Sequence, residues 1–293
     1  MKTNKDYKDM TRQERREAAQ AKAQAALDRL GDGIRSVWDS EEWAKWLRTL
    51  AKFHDYSLNN TMLIAMQMPE ATRVASYRSW KRDFGRHVRK GERGIEILVP
   101  MVVKSKNEED EATEEDTPKR KKLAGFRVGH VFDVSQTEGE PLPEIASQVR
   151  ADVSDFDSLM GAIEAVSAYP IEVVDGLPPE TNGLFSRRMG YIAVRKGMPE
   201  GQTVKTALHE LAHSVMHDAD AEELPDRAMR EVQAESVAYA VSAALGLDTS
   251  DYSFGYVASW AVGKTEEEMR QCMQAVRDAA KQILDRLQLV MEA

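Results

Sequence analysis

One cysteine occurs in 293 residues, Cys272, so no disulfide can form within the chain and the cysteine-rich zinc modules are excluded. Any bound metal has to be held by His and carboxylate. No apolar run approaches the roughly 18 to 20 residues that cross a bilayer as a helix, which leaves no membrane partner to expect. The N-terminal stretch MKTNKDYKDMTRQERREAAQ has none of the apolar core of a secretory signal, so the expected location is the cytoplasm. No internal repeat is visible.

What is present is the balance of a globular protein, 42% hydrophobic and 30% charged residues, at a length that suits two ordinary domains. The net charge of -9 argues against a polyanionic partner only if it is evenly spread. It is not: residues 1–100 hold 20 Lys+Arg against 14 Asp+Glu, whereas residues 101–293 hold 20 against 35. The asymmetry points to two parts with different partners.

The patterns along the chain predict an α+β protein. Residues 1–35 form a charged, solvated helical arm, closed by Gly31-Asp32-Gly33. Val37, Trp38, Trp43, Trp46 and Leu47 recur at helical spacing, as do Met62, Leu63, Ile64 and Met66 after a break at residues 54–60. Gly94–Pro100 is an apolar run of strand length, and strand-like sequence resumes at Phe126. Between them, residues 104–122 put an acidic block before a basic one with no apolar anchor, a flexible loop inside a hairpin. The first domain is placed at 36–145 and the second at 150–293. The second contains strand candidates at 171–174 and 191–194 and helices near 203–217, 226–245 and 265–290.

The chemistry centres on His209-Glu210-Leu211-Ala212-His213. Residues four apart lie one turn above each other on a helix, so His209 and His213 can face one ion. Glu210, about 100° around the helix, can reach a metal-bound water and act as general base. A catalytic zinc takes three protein ligands and leaves one position open. Glu231 and Glu235, 18 and 22 residues after His213 on a largely apolar helix, supply the third. Glu231 is assigned as ligand and Glu235 as the residue orienting a ligating His, with the reverse assignment open. One zinc per chain is expected. His217 is either an outer partner of the site or uninvolved, and Tyr252 and Tyr256 are the nearest donors for a developing oxyanion.

Between Arg73 and Arg93 lie eight basic residues and two acidic ones, interleaved with Tyr77, Trp80 and Phe84. Cations that track phosphates and rings that stack on bases are the means of single-strand binding. Arg73, Trp80, Arg86, Arg89, Lys90 and Arg93 are the candidates, with bare backbone amides at Gly91. A basic solvated surface with Trp80 in the core fits the same composition.

Several motifs then occur in one order: Tyr56-Ser57 with Asn59-Asn60, Ala71-Thr72-Arg73-Val74-Ala75, Gly85-Arg86, Val88-Arg89-Lys90-Gly91-Glu92, Val131-Phe132-Asp133-Val134, Asn182-Gly183, HELAH, Glu231 to Tyr239, and Asp251-Tyr252-Ser253 to Trp260. In these the chain resembles, from about residue 36 to 263, the plasmid- and phage-borne antirestriction proteins of the ArdC type. The resemblance implies an N-terminal single-stranded-DNA-binding domain joined to a C-terminal zincin-like metallopeptidase domain, carried by a mobile element and protecting incoming single-stranded DNA from restriction. It adds Tyr56 and Asn60 to the nucleic-acid-binding residues and implies a protein or peptide substrate, which the residues do not identify. The alternative is a DNA-binding module whose zinc domain is structural or serves interaction only. Retention of Glu210 favours the enzyme, since a structural site needs ligands and no base.

Overall fold

A computed structural model describes residues 10–104, 121–142, 156–219, 224–250, 252 and 254–292. The described elements are mixed α and β. Three helices come first: α1 (Arg12–Ser36), α2 (Ser40–Lys52) and α3 (Leu58–Gln67). Each begins at a side-chain cap, Thr11, Asp39 and Ser57, whose oxygen accepts from an amide of the first turn.

The arm differs from its expected form. α1 runs through Gly31 and Gly33 to Ser36 and buries Ala23, Ala26, Leu30 and Ile34, so one face of it is core. Small residues made that face look like solvent in the sequence. Gly33 is where Met66 of α3 presses against α1, and a Cβ there would overlap its sulfur. The two glycines therefore permit close helix packing and do not end the helix.

A meander follows: β1 (Val74–Ser76), α4 (Tyr77–Asp83), β2 (Arg86–Val88), β3 (Ile95–Lys104), β4 (Lys121–Asp133) and, after a single 3₁₀ turn, β5 (Thr137–Gly139). β3 and β4 form a long antiparallel hairpin paired from Ile95↔Val131 to Lys104↔Lys121, with β1 added along β4. Of the charged insert expected at 104–122, residues 104, 121 and 122 extend the hairpin strands instead, because they pair across it, and the rest lies outside the described residues, as does the expected domain boundary. β2 and β5 make a separate two-stranded ribbon.

The remaining chain is α5 (Phe156–Val166), β6 (Ile171–Val174), β7 (Gly183–Ser186), β8 (Tyr191–Arg195), α6 (Glu200–Met216), α7 (Arg227–Ala244), α8 (Gly255–Ala261) and α9 (Glu266–Met291). The sheet order is β6-β8-β7, with β6 parallel and β7 antiparallel to the central strand. Ile192, Ala193 and Val194 of β8 are fully buried. One hydrophobic cluster includes Trp43, Leu63 and Leu98 together with Leu208, Val237 and Ile283, so α2 and α3 share a core with α6, α7 and α9. Tryptophans close the seam: Trp38 lies 4.5 Å from Trp43 and 5.0 Å from Trp260 between ring centroids, and Trp43 Nε1 donates to Ser236 Oγ of α7 at 2.9 Å.

Candidate functional site

α6 is held by its apolar face. Val204, Ala207, Leu208, Leu211 and Ala212 are buried, and this fixes which way the intervening polar residues point. His209 and His213 project into a cleft of about 900 Å³ that Glu231 and Glu235 enter from α7 and Gly183, Leu184 and Phe185 from β7. His209 Nε2 lies 3.1 Å from His213 Nε2, and Glu231 Oε2 lies 3.6 and 3.7 Å from these two nitrogens. Donors about 2.0 to 2.2 Å from a tetrahedral ion stand roughly 3.3 to 3.5 Å apart, so the triangle fits a divalent cation. Among the described residues His209, His213 and Glu231 form one of two such groups of potential ligands. In the other, Lys281 already bridges Asp55 and Asp285.

Glu235 stands behind His209 and does not face the triangle, its Oε2 being 3.0 Å from Nδ1. His213 is backed differently. Its Nδ1 is 2.9 Å from Nδ1 of buried His217, whose Nε2 is 3.0 Å from Gln233 Oε1. With His213 Nε2 turned to the cation position, the protons are fixed: His213 Nδ1–H donates to His217, and His217 Nε2–H donates to Gln233. Burial pushes the His217 pKa down to about 4 and keeps that ring a neutral acceptor. Residues 231, 233 and 235 of one helix thus serve both histidines. Gln233, a buried polar side chain on an apolar helix, is the residue the sequence reading missed.

The charges are strongly coupled. Burial lowers the His209 pKa, but the Glu231 and Glu235 carboxylates outweigh it and raise the value to about 10. The same contacts with His209 and His213 hold Glu231 well below the usual carboxylate range. Glu210 is raised by burial, against the pull of the two histidines. Its Oε2 accepts the Phe185 N–H at 2.7 Å, tying α6 to the edge strand β7. Gly183 makes this approach possible, because a Cβ there would come within 2.8 Å of Glu210 Oε1. Tyr252 also lines the cleft, and its hydroxyl, raised by burial, lies 3.3 Å from Ser242 Oγ. The Tyr256 side chain falls outside the described residues.

The basic segment is less uniform than its composition suggests. Trp80 is fully buried and its Nε1 donates to Phe132 O at 2.8 Å, so the expected stacking role is not open to it. The exposed ring is Tyr77, at the start of α4, at 57% exposure. Arg86 is engaged in the β2–β5 ribbon, with Nε donating to Thr137 Oγ1 at 2.8 Å and a further nitrogen to Thr137 O at 3.1 Å. Asn60 is buried and clamps the Leu98 backbone, accepting from its N–H at 2.8 Å and donating to its carbonyl at 3.0 Å. Tyr56 is half-buried with its ring edge-on to Phe53, and its carbonyl accepts from Arg277 of α9. Arg73 is half-buried beside Asp133, to which its backbone N–H donates. Arg89 pairs with Glu92 at 2.7 Å. Lys90 and Arg93 are exposed around the Gly91 turn, whose φ of 93° needs glycine. Of the eight expected contacts, Trp80 and Asn60 are therefore core residues, and Arg86 is a ribbon residue.

Residues 13–132 match the family described as the N-terminal domain of anti-restriction factor ArdC. Over these residues the chain is similar to the N-terminal domain of ArdC. An uncharacterized protein of Bacillus anthracis is 26% identical over 319 residues, covering 97% of this chain and 53% of that protein. The chain thus spans about half the length of that curated relative. Two crystal structures of the antirestriction protein ArdC from plasmid R388 are also similar. The metal-free one is 22% identical with a TM-score of 0.47 and covers 80% of this chain and 86% of that one. The Mn(II)-bound one is 21% identical with a TM-score of 0.44 and covers 79% and 89%. The ArdC-type match ends at residue 132, so the cleft between α6 and α7 is read from its own geometry. No helix among the described residues is long and apolar enough to cross a membrane.

Proposed function

We propose that this is an antirestriction protein in which a single-stranded-DNA-binding N-terminal domain is joined to a zincin-like zinc peptidase domain. The observation that carries the enzyme reading is the convergence of His209 Nε2, His213 Nε2 and Glu231 Oε2 within 3.7 Å of one another, with a buried carboxylate, Glu210, on the next helical position. Two imidazoles and one carboxylate suit zinc better than the harder cations, which prefer all-oxygen sets. When bound, the ion supplies Lewis-acid polarisation of the scissile carbonyl and acidifies the attacking water.

The protein's own groups do the rest. Glu210 takes the proton of the attacking water and delivers it to the departing amide nitrogen; burial, by raising its pKa, makes it the stronger base. The Phe185 N–H holds Oε2 and leaves Oε1 for that proton. Glu235 and the His217–Gln233 pair keep both imidazoles in the tautomer that presents Nε2. β7 is one of the two edge strands of its sheet and forms one wall of the cleft, so an extended peptide laid along it comes to the reacting groups.

A second reading has its own support. The Glu210 bond to Phe185 also ties strand to helix, so Glu210 has a structural use in a binding module with a structural zinc. Metal content separates the ligand assignments. Glu231→Ala is expected to lose the zinc, while Glu235→Ala keeps it with affinity reduced about 10- to 100-fold, as checked by elemental analysis and chelator competition. Zinc retained in full by Glu231→Ala would refute the centre.

A further inference from the structure

Outside the metal set, Glu235 behind it and Glu210, the charged residues lining the cleft among the described residues are Arg187, Lys205, Arg227, Arg230 and Glu180. That is four cations to one anion, in a stretch of chain, residues 101–293, that holds 35 acidic residues against 20 basic. The bias is local and runs against the composition.

Two of the four cations are already engaged. Arg187 pairs with Asp218 at 2.9 Å, and Lys205 sits over the Tyr252 ring at 5.2 Å. Arg227 and Arg230 make no side-chain hydrogen bond or ion pair among the described residues, and Arg230 Nε is buried without a partner. Asp226, next to Arg227, caps α7 through the Met229 amide and pairs with Lys264 at 3.3 Å, and Glu231, next to Arg230, faces the two histidines. The α7 first turn contains no acidic residue. Cations there oppose the helix dipole, so helix stability does not explain them. Arg227 is also four residues before the ligand Glu231, one turn away on the same face.

We propose that the cleft selects protein segments carrying Asp or Glu within a few residues of the bond to be cut, and that Arg227 and Arg230 read that charge. This rests on the peptidase reading above. A peptide is favoured over a polynucleotide because Glu180, Glu210 and Glu235 repel a continuous phosphate backbone, whereas the spaced charges of a peptide can avoid them. A Lys- or Arg-rich segment would bring its own cations against the Arg227 and Arg230 guanidiniums.

The test uses the full-length, zinc-loaded Glu210→Gln protein, in which turnover is slowed about 10²- to 10⁴-fold so that binding is read before the ligand is consumed. Two fluorescein-labelled nonapeptides are compared by anisotropy at low ionic strength. They share a central Ala-Leu and carry either Glu or Lys on both sides of it. The Glu peptide is expected to bind about tenfold tighter or better, the size of two partly exposed ion pairs. Adding Arg227→Ser and Arg230→Ser should abolish the advantage with zinc content unchanged. Should the double variant not fold, Arg227→Gln alone is expected to lose part of it. Equal affinities in the parent, or an advantage that survives in the folded variants, overturns the proposal. So does a short oligothymidylate that loses as much affinity as the Glu peptide when the arginines are removed, since the cleft would then be a polynucleotide site. Cleavage by the wild-type protein is scored separately. Selective binding without cleavage sinks the peptidase reading and leaves the charge selection standing; cleavage without selectivity does the reverse.

Discussion

Gly183→Ala isolates the contact on which the geometry of Glu210 depends. The added Cβ would lie 2.6 Å from Thr206 Cγ2 and 2.8 Å from both Cγ and Oε1 of Glu210, all inside van der Waals distance. Thr206 is buried on a helix that cannot retreat without disturbing Leu208 and Leu211, so relief has to come from β7 or from the Glu210 rotamer. Either movement stretches the 2.7 Å bond from the Phe185 N–H. Overpacking of this kind costs about 1 to 3 kcal/mol. The control is Gly161→Ala in α5, where the new Cβ meets nothing within 4 Å. Replacing a helical glycine there should stabilise by about 0.5 to 1 kcal/mol. Denaturant unfolding of both variants therefore gives shifts of opposite sign. Zinc stoichiometry of Gly183→Ala should stay at one per chain, because the added Cβ touches no ligand, while any hydrolytic activity falls with the displaced base. A Gly183→Ala protein as stable as the parent would refute the close approach of strand and helix.

Two further outcomes follow from the charges. In the metal-free protein the His209 pKa, raised from 6.5 to about 10, contributes stability that is complete below pH 6.5 and is lost as pH rises toward 10. Glu231, lowered from 4.5, contributes stability present above pH 4.5 and lost as pH falls below it. Thermal unfolding without metal should accordingly weaken on both sides of a mildly acidic plateau between pH 4.5 and 6.5, and zinc binding near pH 7.5 should release about one proton, read by calorimetry in buffers of different ionisation enthalpy. On the N-terminal surface, Lys90→Ala and Arg93→Ala should each flatten the salt dependence of single-stranded-DNA binding, and Tyr77→Ala should weaken binding without changing that slope. Trp80→Ala should instead destabilise the fold by about 3 to 5 kcal/mol. Duplex bound as tightly as single strands would count against this surface.

The parts of the site legible in the sequence are those set by helical period. The HELAH spacing and the four-residue step from Glu231 to Glu235 put side chains on known faces before any tertiary contact is considered. The helices of the second half and the β3–β4 hairpin were legible for the same reason, since apolar spacing tracks burial there. What was not legible depended on partners distant in sequence. Trp80, Asn60 and Arg86 look like nucleic-acid contacts in a basic, aromatic stretch, and only the positions of Phe132, Leu98 and Thr137 turn them inward. The alanine-rich face of α1 carries too little apolar surface to register in its sequence, yet it buries four side chains named above. β7 is four residues long, begins with glycine and shows no alternation, so its place beside Glu210 was invisible. Gln233 matters through His217, whose own role the four-residue ladder left open.

The most direct test of the central claim is Glu210→Gln. The amide keeps the size of the carboxylate and an oxygen that can accept the Phe185 N–H, removes the basicity, and touches no proposed ligand. The zinc-loaded variant is compared with wild type for cleavage of protein substrates and for restriction evasion. Zinc content, stability and single-stranded-DNA affinity should be unchanged, with hydrolysis lowered about 10²- to 10⁴-fold and any effect that depends on it lowered too. Restriction evasion that survives in full in Glu210→Gln, yet disappears when Lys90 and Arg93 are neutralised, would contradict the enzyme reading and leave a DNA-binding module with a structural metal.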